Sequence, residues 1–108
     1  MLANIFYRKQ PNFRDVSPDS LCASDFDYVC DFQPSILSQD GALGQVFCEF
    51  NAVDGTETCC KLRLRSMSVG DVVRTTDGVF LCASAGWEPV TGDAAAGFDA
   101  RARAADFS

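Results

Sequence analysis

The chain contains no histidine. That removes the side chain whose ordinary titration falls between about pH 5 and 8, and with it the usual partner of a Ser or Cys nucleophile. The spacing of a zinc site is missing as well. Cys22, Cys30, Cys48, Cys59, Cys60 and Cys82 include no Cys-x-x-Cys pair, and adjacent Cys59 and Cys60 on a strand would point to opposite faces. Chemistry would have to rest on carboxylates, Lys or a single Cys. The expectation is a protein that is not an enzyme and uses neither metal nor cofactor.

Long apolar runs are also absent, so no membrane span is expected, and the first residues reach Arg8 too early for a signal peptide. These features predict a cytoplasmic protein. A reducing compartment favours free thiols used as small buried apolar groups over disulfides or a metal site. Basic residues are scarce too: nine Lys and Arg stand against 15 Asp and Glu, a net charge of −6. Sequence-independent nucleic-acid binding draws its energy from cationic side chains releasing counterions, so direct binding of nucleic acid is disfavoured.

What remains is a chain of 108 residues, 47% of them apolar, with nine Phe. That suffices for one domain with a small core built from large rings. Residues 2–7 read as a first strand ended by Gln10-Pro11-Asn12. Residues 26–32 alternate, with Phe26, Tyr28, Cys30 and Phe32 expected on one face and Asp27, Val29 and Asp31 on the other. Between Ser38 and Asn51 the period changes, placing Leu43, Val46, Phe47 and Phe50 on one helical stripe capped by Ser38 or Asp40. Gly41 and Gly44 each weaken that helix by about 1 kcal/mol relative to Ala.

Alternation returns over 57–65, where Cys60, Leu62 and Leu64 oppose Cys59, Lys61, Arg63 and Arg65. The run Arg65-Ser66-Met67-Ser68-Val69-Gly70-Asp71 then reads as a turn entering a strand over 72–75. Thr76-Asp77-Gly78 closes a hairpin, 79–83 returns, and Gly86 lets Trp87 fold back as a lid on the core. Residues 91–108 are Ala-rich, compatible with a frayed helix but with no clear apolar stripe beyond Phe98 and Phe107, and read as a mobile tail or an addition to the core domain. The predicted architecture is α+β: residues 1–90 form one domain with a mainly antiparallel sheet of about five strands and one packed helix.

The stretch Ala42-Leu43-Gly44-Gln45-Val46-Phe47, then Asn51, Arg65 to Val73, Asp77-Gly78 and Gly86-Trp87-Glu88, resembles the YodL-like small domains of conjugative elements, plasmids and phages. The likeness covers roughly residues 42–90. It implies no chemistry, so Ser66, Ser68, Gly70, Asp71, Gly86 and Trp87 transfer as a fold signature. It does imply a setting, the accessory genes of mobile DNA, where small acidic proteins inhibit host defence complexes as anti-CRISPR or anti-restriction proteins.

Three functions follow from these residues. The first is an inhibitor that binds a host protein or nucleoprotein complex through acidic Asp25, Asp27, Asp31 and Glu49. The alternative is a small regulatory nucleic-acid binder using Lys61, Arg63, Arg65 and Arg74. The third is an enzyme or thiol-dependent sensor centred on a Cys, with Cys59 or Cys60 beside Lys61 as the local candidate. The inhibitor, as a monomer or homodimer, agrees best with the charge and the missing histidine.

Overall fold

Residues 3–7, Ala-Asn-Ile-Phe-Tyr, are all buried. An extended segment that hides both of its faces needs a covering layer on each side. The computed structural model, which describes residues 2–10, 16–35, 38–50, 67–84 and 86–106, supplies both layers. Strand β1 (Ala3–Arg8) lies within an antiparallel sheet with β2 (Phe26–Phe32), β3 (Val72–Thr75), β4 (Gly78–Ala83) and β5 (Gly86–Val90). The order is β2-β1-β3-β4-β5. Helix α1 (Gln39–Glu49) covers one face and helix α2 (Gly92–Asp106) the other. This is a small α+β fold with the five-stranded antiparallel sheet expected from the sequence.

The α1 layer follows the expected stripe. Ser38 accepts a hydrogen bond from the Gly41 amide at 3.3 Å, which satisfies one of the free donors of the first turn. Leu43, Val46 and Phe50 then pack on Ile5, Tyr7, Val73 and Phe80. Phe50 meets Phe32 edge-on at 5.7 Å, and its carbonyl accepts from the Met67 amide at 2.7 Å. The predicted strand over 57–65 lies outside the described residues.

The C-terminal segment corrects the expectation of a mobile tail over 91–108. Residues 92–106 form a helix, and its Phe98 is fully buried between Phe6 and Phe26, with ring centroids at 5.1 and 5.0 Å in edge-to-face contact. Its contact face is Ala94, Ala95, Phe98 and Ala102. Alanines weaken a hydrophobic stripe in sequence, yet they let a helix come close to its support. A Cβ on Gly97 would stand only 3.1 Å from the Ala23 Cβ.

The second correction concerns β2. The pairing with β1 shifts between Ile5, opposite Cys30, and Phe6, opposite Tyr28, leaving Val29 as the extra residue of a bulge. Side chains before and after that point therefore change faces. Phe26 and Tyr28 join the α2 layer, whereas Cys30 and Phe32 join the α1 layer. Continuous alternation from 26 to 32 put all four on one face; the inserted residue breaks that count.

Candidate functional site

The expected motif around Gly70-Asp71 is a buried junction. Asp71 is 1% exposed, and its two carboxylate oxygens accept from the Arg8 and Ser68 amides, each at 2.9 Å. Its own backbone pairs with Ser68 and Cys82. One side chain thus ties the turn entering β3 to the end of β1, 63 residues away. Gly70 has φ +100°, and a Cβ there would approach Arg8 Nε to 3.2 Å. Gly86, at φ +127°, opens β5 in the left-handed region that favours glycine. Trp87 sits opposite Cys82 and packs half-buried on the α1 layer. Ser66 lies outside the described residues.

Of the four described arginines, Arg8, Arg74 and Arg101 are half-buried and Arg103 is exposed. Arg74 shares the α2 face with its register partner Asn4; its Nη1 donates to Asn4 Oδ1 at 2.9 Å and its Nε to Asp99 Oδ1 at 2.5 Å. The Asn4 amide, 3% exposed, donates onward to Asp31 Oδ1 at 2.8 Å. A polar row, Asp31-Asn4-Arg74-Asp99, therefore crosses three strands and reaches α2. Arg101 from α2 donates to the carbonyls of Ala23 and Phe26 and lies over the Phe6 ring, and Arg8 lies over Phe26 at 5.1 Å. Arg74 is committed to this part-buried network. Lys61, Arg63 and Arg65 lie outside the described residues.

The predicted acidic residues share an edge and not a face. Among the described strands, β2 is an outer strand of the sheet, and Asp27 and Asp31 are exposed along it. Because of the bulge, Asp27 stands opposite Tyr7 on the α1 side, while Asp31 stands opposite Asn4 on the α2 side. Asp25 is exposed in the single turn that leads into β2, beside a depression of about 510 Å³ shared with Arg8, Lys9 and Gln10. Glu49 is half-buried in the last turn of α1, just before the Phe50 that meets Phe32. The carboxylates thus follow the rim of the sheet from one end of β2 to the other.

At the opposite side of the sheet a groove of about 400 Å³ opens between α1 and the β4–β5 hairpin. Gly44, Phe47 and Cys48 form one wall, with Cys82, Ala83 and Trp87 opposite. The sequence reading missed it, because the wall of a groove belongs to neither the core stripe nor a charged run. Its one local signal is Gly44, a residue that weakens the middle of a helix. The thiols only partly follow the expectation of buried apolar groups: Cys82 is buried, but Cys22 and Cys48 are exposed. Cys59 and Cys60 lie outside the described residues. Among the described residues no His, Cys, Asp and Glu cluster of three or more is arranged to hold a metal, and no helix is long and apolar enough to cross a membrane.

These features define a small α+β domain with three half-buried arginines, an acidic outer strand and an apolar groove. No protein-family model, curated protein or solved structure matches this chain.

Proposed function

We propose that the protein works by direct binding: it occupies a basic, nucleic-acid-binding surface of a host protein complex and inhibits it. The observation that carries this reading is the segregation of charge. Arg8, Arg74 and Arg101 are half-buried against rings, carbonyls and Asp99, while Asp19, Asp25, Asp27, Asp31, Asp77 and Glu88 are exposed together with the basic Lys9 and Arg103. Among the described residues, exposed carboxylates therefore outnumber exposed basic side chains. An acidic field attracts a basic groove and speeds encounter with it.

The setting comes from the resemblance to YodL-like domains of mobile elements. In that setting the target is a host defence complex, and the protein is an anti-CRISPR or anti-restriction factor of the cytoplasm, with no catalytic step of its own. The regulatory nucleic-acid reading loses Arg74 to the interior row and keeps only Lys61, Arg63 and Arg65.

Neutralising Asp25, Asp27 and Asp31 to Asn tests the edge. Affinity for a captured partner, read by calorimetry, should fall at least tenfold and weaken with added salt in the native protein. Equal affinity of the two proteins would overturn the reading.

A further inference from the structure

The depression at the end of β1 carries both signs of charge. It has a volume of about 510 Å³ and is lined by Arg8, Lys9, Gln10 and Asp25. Hydrogen bonds fix the backbone under these side chains: the Arg8 amide donates to Asp71 Oδ1 at 2.9 Å, the Lys9 amide to the Asp25 carbonyl at 3.0 Å, and the Asp25 amide to the Cys22 carbonyl at 2.9 Å. The Arg8 side chain is half-buried, with its guanidinium over the Phe26 ring and its Nε beside Gly70, where a Cβ would come within 3.2 Å. Bare backbone at Gly70 gives Arg8 its place in the wall.

Lys9 and Asp25 are joined through their backbones, yet their side chains do not close on each other. Neither the Lys9 ammonium nor the Asp25 carboxylate has a hydrogen bond or ion pair with a described residue, and both residues are exposed at the depression. Cation and carboxylate held apart on one concave surface complement a ligand that carries the opposite pair of charges. A plain anion would be repelled by Asp25, and a plain cation by Arg8 and Lys9. None of the four described lining residues is apolar, and the Gln10 amide can both donate and accept. We propose that this depression binds a small zwitterion of the α-amino-acid class, its carboxylate toward Arg8 and Lys9 and its ammonium toward Asp25. The site goes beyond the partner-binding function proposed above and shares only Asp25 with it.

The probe is L-serine, compared with N-acetyl-L-serine, which lacks the ammonium, and L-serinamide, which lacks the carboxylate. Amide NMR shifts at Lys9, Gln10 and Asp25 report the depression. L-Serine should shift them saturably, and each blocked form should need about tenfold more, the worth of one charged contact. Lys9→Gln should weaken L-serine and narrow its advantage over serinamide, whereas Asp25→Asn should weaken it and narrow its advantage over N-acetylserine. A merely structural role for either residue would not move the two preferences separately. The Asp27 and Asp31 to Asn double variant should keep the L-serine response in full, which separates this site from the acidic edge whether or not a host partner is captured. No saturable shift, an equal response to either blocked form, or unchanged preferences in both single variants would each overturn the proposal.

Discussion

Asp71 ties two distant parts of the fold together through one buried side chain. Its two oxygens serve amides from separate parts of the chain, and both amides lose a charged acceptor when it is removed. Asp71→Ala is expected to cost about 2–4 kcal/mol, read as a lower urea midpoint with unchanged slope. Gly70→Ala should cost about 1–3 kcal/mol, because the left-handed backbone is strained for alanine and Arg8 must give way. The importance of Gly70-Asp71 was legible as turn chemistry before a strand. Its partner Arg8 was not, since a contact across 63 residues leaves no local pattern. The same holds for Asn4 and Arg74, which read as a polar interruption and a surface charge until the register places them side by side.

At the level of elements, strong periodicity was legible and weak periodicity was not. The strand over 26–32, the Ser38-capped helix and the strand over 72–75 have the bounds that alternation, capping and turn residues indicate. Helix α2 escaped because its contact face is mostly alanine around one Phe, and the bulge at Val29 escaped because an inserted residue leaves no mark in composition. Phe98→Ala is expected to remove about 3–5 kcal/mol by vacating the space between Phe6 and Phe26. Thermal unfolding would read this directly; an unchanged midpoint would mean that α2 adds nothing to the core. The opposite sign is expected at Gly44→Ala, which should stabilise by about 1 kcal/mol, since the added methyl meets open space in the helix middle.

For the whole molecule, the arrangement of charge decides what kind of partner fits. The net −6 was legible from composition, but composition does not say which charges face outward. Folding places Arg8, Arg74 and Arg101 against rings, carbonyls and one carboxylate, leaves Lys9 and Arg103 exposed, and leaves the strand at the sheet's rim acidic. The sequence places Asp25, Asp27 and Asp31 on one strand face; all three are exposed, but the bulge sends Asp27 and Asp31 to opposite sides of the sheet. An edge of carboxylates reaches into a basic cleft from its rim, which a flat face would not do. The most direct measurement is affinity capture from nuclease-treated host lysate with the native protein and with the Asp25, Asp27 and Asp31 to Asn variant side by side. One stoichiometric nucleic-acid-processing protein, retained by the native chain and lost from the variant, is the expected result. No stoichiometric partner, or equal capture by both, would contradict it.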